Sequence, residues 1–210
     1  MFLSRIFTLY PEYFPGYLNK GLFGKAMNEK IWNLETVNIR DYTFDKHKTV
    51  DDTPYGGGSG MIIKADVLAK SLDENIKEKE KIIYLSPKGK LFDHKYAKEL
   101  STEKTLNLIC GHFEGIDERI IQSRNIEEVS IGDFVLSGGE VATFVVLDAI
   151  LRFIPGVLGN ENSTQDESFE NGLLEYPQYT KPQNWEDKSV PDVLLSGDHA
   201  KIKDWRLSQS

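Results

Sequence analysis

The run SIGDFVLSGGEVATFVVLDAILRFIPGVLGNE, residues 130–161, holds the densest chemistry in the chain. Gly132, Gly138 and Gly139 punctuate a loop that opens directly into a long apolar helix. Glycine lets the backbone turn sharply or approach a ligand closely, because it carries no Cβ. Ser137 stands where an N-cap belongs, and a helix start there aims its unpaired N–H groups into the loop. The pattern lacks the G-x-G-x-x-G spacing of a dinucleotide fold and the G-K-[ST] ending of a P-loop. It therefore reads as a loop that holds a ligand by backbone groups, or as a tight strand-to-helix turn. Two further loops, Ser86–Gly89 and Gly111–Gly115, contain glycine in the same way. Glu114 and Arg152 are charged residues set in turn-forming or apolar surroundings. The plain reading of Arg152 is a cation complementing the C-terminal end of a helix dipole.

These loops need elements to hold them. LSRIFTL, IWNLETVNI, KIIYLSP, TLNLICG and EEVSIGDFVL are short and rich in β-branched residues, and they read as strands. Helical patterns fall between them, over 11–30, 64–79, 94–104, 117–125 and 139–153. Alternation of this kind predicts an α/β fold with a parallel sheet covered by helices on both faces. Ligands in such sheets sit beyond the carboxyl ends of the strands, where all three glycine loops fall. Residues 1–159 read as this domain and 160–174, polar and acidic, as an interdomain linker. Residues 175–210 read as the start of a C-terminal domain, with a helix beginning near Asp198 and cut short at Ser210.

Composition narrows the class. At 210 residues the chain suits one well-cored domain with an appendage. The single cysteine, Cys110, excludes an internal disulfide framework and a cysteine-based zinc site, and fits a reducing cytoplasm. The N-terminus has no basic segment followed by an apolar one, so no signal peptide is read. Asp148 and Arg152 interrupt the most apolar stretch, which argues against a membrane span. A formal net charge of −8 argues against bulk attraction to nucleic acid but leaves room for local basic faces. Arg40, Lys46, His47 and Lys48 form one such cluster, Lys88 and Lys90 a second, and Lys201, Lys203 and Arg206 a third.

Seven segments in order carry a family likeness: TVDDTPYGGGSGM (49–61), YLSPKG (84–89), CGHFEGIDER (110–119), SIGDFVLSGGE (130–140), RFIPGVLGNE (152–161), YPQYTKP (176–182) and LLSGDHAKIKDWR (194–206). Together they resemble the bacterial tRNA (guanine-N1)-methyltransferase family, TrmD, across nearly the whole chain. The resemblance implies S-adenosylmethionine-dependent methylation of N1 of guanosine 37, beside the anticodon, on tRNA with guanosine at positions 36 and 37. It further implies a SPOUT α/β domain with a deep trefoil knot, working as a cytoplasmic homodimer whose active site is shared between subunits. General topology rules predict against a knot.

By the same resemblance the methyl donor is held by Tyr84, Leu85, Ser86 and Pro87, by Gly111, Phe113, Glu114 and Gly115, and by Ser130, Ile131, Gly132, Asp133, Phe134, Val135, Leu136, Ser137, Gly138 and Gly139. Leu85, Ile131 and Leu136 offer apolar walls for the adenine ring. Arg152 becomes the cation that stabilises charge on guanine O6, with Glu114 beside the reaction. The family's general base is an aspartate next to a Ser-Phe pair. Here that position holds Glu167, with Asp166 one residue earlier, and glutamate supplies the same chemistry with one more methylene of reach. Phe113 and Phe134 stand where the family carries tyrosine, so a phenol hydrogen bond there is absent. Arg40, Lys46, His47, Lys48, Tyr55, Lys201 and Arg206 are the RNA-facing residues, the cations for phosphates and Tyr55 for stacking on a base. No metal ligands are assigned, and a Mg2+ dependence is not legible in the residues. Two rivals share part of this pattern: another SPOUT enzyme, such as a ribose 2′-O-methyltransferase, and a non-catalytic nucleotide- or RNA-binding module.

Overall fold

The computed structural model describes residues 1–77, 79–159, 168–169 and 173–210. The chain divides into two units, Met1–Glu161 and Asn162–Ser210. The first is built on a five-stranded sheet in the order β2-β1-β6-β5-β7, every pairing parallel. Its strands are β1 (Phe2–Thr8), β2 (Trp32–Asn38), β5 (Lys81–Leu91), β6 (Thr105–Cys110) and β7 (Glu127–Ser130). Two-residue strands β3 (Asp51–Asp52) and β4 (Ile62–Ile63) pair separately. The helices are α1 (Gly21–Asn28), α2 (Ala65–Asn75), α3 (His94–Leu100), α4 (Glu118–Ser123) and α5 (Gly139–Leu151).

Side-chain alternation along the strands sends neighbours to opposite faces. Ile6, Ile83, Leu85 and Leu108 enter one core with Trp32, Leu100 and the buried face of α5. Phe7, Tyr84 and Ile109 enter the other with Leu68, Leu72 and Ile120 from α2 and α4. Both faces of the sheet are thus covered, as the alternating elements require.

Three local expectations are corrected. The helix expected over 11–30 is reduced to α1, preceded by two short 3-10 turns, Pro11–Tyr13 and Gly16–Asn19. Pro11 and Pro15 fit only a helix start, and Gly16 and Gly21 adopt φ of +55° and +56°, outside the right-handed helical region. The strand expected through EEVSIGDFVL stops at Ser130, because Gly132 takes φ +146° and the segment turns away from the sheet. Ser137 is not the N-cap of α5. Gly138 holds that position without a side-chain cap, and the Gly139 N–H bonds the Gly111 carbonyl at 2.9 Å.

The loop expected at Ser86–Gly89 forms inside β5. Val129 of β7 pairs first with Leu85 and then with Lys90, so the intervening residues bulge out of the sheet. In the second unit, β8 (Asn184–Trp185) and β9 (Lys188–Ser189) form a short hairpin, followed by α6 (Asp192–Leu195) and α7 (His199–Gln209). Asp198 caps α7, accepting from the N–H groups of Ala200 and Lys201, so this helix begins where the sequence places it.

Candidate active site

The three glycine loops converge on one cavity of about 240 Å³, at the bulge within β5 and at the carboxyl ends of β6 and β7. The β5 bulge contributes Ser86, Pro87 and Lys88, and the turn after β6 contributes residues 111–116. The wall opposite is residues 129–132 and 134–139, with Ala142 from α5. Every residue assigned to the donor lines this cavity except Asp133. Phe113, Phe134 and Val135 stand well exposed around it, Val135 at 84%.

Glycine at 111 and 139 answers to protein packing. A Cβ on Gly139 would lie 2.7 Å from the Cys110 Cα and 2.9 Å from the Gly111 nitrogen, where helix start meets strand end. One on Gly111 would lie 2.7 Å from the Tyr84 ring. The sequence reading put the ligand at those positions, and the structure puts backbone and ring there. Gly139→Ala is therefore expected to lower stability by about 1–3 kcal/mol through overpacking. A thermal melt unchanged from wild type contradicts that packing.

Tyr84 forms the floor between Gly111 and Gly115 and is 7% exposed. Burial, and secondarily the Glu128 carboxylate, push its phenol up to about 12 against a backbone hydrogen bond from Ile116. The folded protein thus holds this proton more tightly than the unfolded chain, whose tyrosines titrate near 10. The contribution is complete below pH 10 and is lost as pH rises towards 12. Tyr84→Phe is expected to flatten the fall of Tm over that window, and an unchanged slope contradicts the assignment.

Polar groups complete the site. Glu114 lines the cavity, and its N–H bonds the Met61 carbonyl at 2.9 Å. Gly60 passes so close that a Cβ there would lie 2.5 Å from Glu114 Cγ, which ties the glycine-rich 56–60 segment to the acid. Glu118, Glu128, His112 and Lys88 also line the cavity and were not assigned to it from sequence. His112, Lys88 and Glu118 lay inside the motifs quoted, so their positions were visible although their roles were not. Behind the wall, the His112 imidazole meets the buried Glu140 carboxylate, with Nε2 2.8 Å from Oε2.

Other assigned residues lie elsewhere. Arg152 caps the C-terminal end of α5 and is exposed. The thirteen residues of α5 separate it from Gly139 by ~20 Å at 1.5 Å per residue. Asp166 and Glu167 fall outside the described residues. Arg40 is half-buried in a 3-10 turn, while Lys46, His47, Lys48 and Tyr55 are exposed, Lys48 pairing with Asp41 at 2.7 Å. In the second unit Lys201 pairs with Asp198 at 3.2 Å and Arg206 lies over the Tyr176 ring at 4.6 Å.

A parallel α/β sheet with a glycine-rich, acid-lined cavity at its strand ends has the place and shape at which α/β proteins hold small ligands. The family model for tRNA (guanine-1)-methyltransferase TrmD matches residues 2–210. The tRNA (guanine-N(1)-)-methyltransferase of Pelagibacter ubique strain HTCC1062 is 73% identical over 210 residues, spanning all of this chain and 92% of that protein. The enzymes of the same name from Bartonella tribocorum and Bartonella quintana are 54% and 55% identical over 209 residues, spanning all of this chain and 90% of each relative. The chain belongs to the tRNA (guanine-N1)-methyltransferase family. Among the described residues no helix is long and apolar enough to cross a membrane.

Proposed function

We propose that this chain transfers a methyl group from S-adenosylmethionine to N1 of guanosine 37 in the tRNA anticodon loop, giving 1-methylguanosine. The observation that carries the reading is the convergence of all three motif loops on a single cavity. The lining suits a cationic sulfonium nucleoside. Leu85, Val129, Ile131 and Leu136 offer apolar surface for the adenine, and the carboxylates Glu114, Glu118 and Glu128 outnumber the one lysine, Lys88. When bound, this donor supplies an electrophilic methyl group.

The remaining chemistry falls to the protein. A carboxylate takes the N1 proton of guanine, and Glu167 holds the position next to Ser168 and Phe169 that the family gives to its base. Loss of that proton moves negative charge onto O6, where the Arg152 guanidinium stabilises it. Within one chain, Arg152 stands at the far end of α5 from the cavity. A second copy brings it into reach, and a two-fold homodimer is the commonest assembly that does so. The apolar exposure of Val141 (59%) and Val145 (46%) on α5, beside Tyr17 against the Phe144 ring, favours such a pairing. The exposed cations at 46–48, with Lys201 and Arg206, serve tRNA phosphates, and Tyr55 stacks on a base. The deep trefoil knot and a cytoplasmic location complete the reading.

The test is methylation of transcript tRNA with guanosine at 36 and 37, mapped by mass to the modified base. A methyl group on N1 of guanosine 37 is expected, with loss of reaction when either guanosine is replaced. Methyl transfer to a ribose, or none to wild-type tRNA, contradicts the proposal.

A further inference from the structure

Three distant parts of the chain meet at one buried carboxylate beside the cavity. Glu140, in the first turn of α5, is 4% exposed, and Thr8, at the end of β1, is fully buried. The Thr8 hydroxyl donates to Glu140 Oε1 at 2.6 Å. His112 Nε2 lies 2.9 Å from Oε1 and 2.8 Å from Oε2, bridging both oxygens in its Nε2–H tautomer. Burying a carboxylate is costly unless its oxygens are bonded, so this arrangement resists sliding. Gly138 leaves room for it, since a Cβ there would lie 2.3 Å from His112 Cε1 and 2.7 Å from Glu140 Oε2.

The consequence for the cavity is geometric. His112 belongs to the 111–115 loop that carries Glu114, and Glu140 directly follows the Gly138–Gly139 edge of the opposite wall. The Gly139 N–H to Gly111 carbonyl bond joins the same two segments at 2.9 Å. Glu140 thus fixes the separation of two cavity walls and anchors both to the central sheet through Thr8. Neither Thr8 nor Glu140 lines the cavity.

We propose that Glu140 is a positioning residue that holds the 111–115 loop, through His112 and Thr8, at the spacing the methyl donor requires. This rests on reading the cavity as the S-adenosylmethionine site. The informative change is Thr8→Val, which keeps shape and removes a hydroxyl that does not line the cavity, the donor to Glu140 and the acceptor of the Tyr10 N–H. Calorimetric titration with S-adenosylmethionine, below the melting range of every variant, is expected to show about tenfold weaker binding for Thr8→Val. Thr8→Ser, which restores the hydroxyl, is expected within about twofold of wild type on the same scale. Glu140→Gln is expected to weaken binding as well. The double variant Thr8→Val/Glu140→Gln should lose less than the product of the two single losses, because both changes act on the one Thr8–Glu140–His112 network. Thr8→Val binding like wild type, even with a lowered Tm, overturns the clamp, as does a double variant whose losses multiply. Absence of binding by wild type overturns the donor reading and the clamp with it. Wild-type binding with an unaffected Thr8→Val overturns the clamp alone.

Discussion

Glu167→Gln is expected to lower the single-turnover rate of methyl transfer by about 10²–10⁴-fold, the usual contribution of a positioned general base. The amide keeps the size and one acceptor of the carboxylate and removes its capacity to take the guanine N1 proton. Donor binding should be unchanged, since the three loops that line the cavity lie within residues 84–139. Asp166→Asn should cost far less, because Glu167 and not Asp166 adjoins the Ser168-Phe169 pair. Rapid-quench measurement with saturating donor separates the chemical step from binding. The reverse ranking transfers the role to Asp166, and near-wild-type rates for both remove both acids from the mechanism.

Arg152→Ala is expected to reduce the same rate by about 10²–10³-fold, the range seen when one group stabilising a developing oxyanion is removed. A helix-capping cation predicts something quite different: a loss of about 0.3–1 kcal/mol in stability with the rate preserved. Position makes the distinction sharp, because Arg152 caps α5 at the end away from the cavity. Arg152→Lys tests the same point from the other side. Lysine keeps the charge at the helix end but loses the planar fork of donors, so it should restore stability more than rate.

The architecture was legible because its signals are local. Strand alternation at Ile6–Phe7 and Leu108–Ile109 is a period-two pattern that survives folding, and the sheet with two covered faces follows from it. The three loops were legible because glycine marks close backbone approach, although at Gly111 and Gly139 the neighbour is protein. Local reading failed where tertiary contacts compete. Ser137 has the chemistry of a cap, yet the Gly111 carbonyl takes the first amide of α5. The Thr8–Glu140 contact spans 132 positions, and nothing in the sequence near either residue announces the other. Arg152 follows the cavity loops closely in sequence, but the thirteen residues of α5 carry it away from them, a separation that sequence spacing conceals.

The central claim is that one catalytic site draws Glu114 from the cavity of one copy and Arg152 from another copy. Mixing subunits tests it directly. Glu114→Gln and Arg152→Ala should each be nearly inactive alone. After equimolar mixing and subunit exchange, about half of the dimers are mixed, and each carries one site with both residues intact beside one lacking both. Methylation of guanosine 37 should then recover to about one quarter of the wild-type rate. Activity that stays at the level of the separate variants after exchange contradicts the shared site and returns Arg152 to its place as a helix cap.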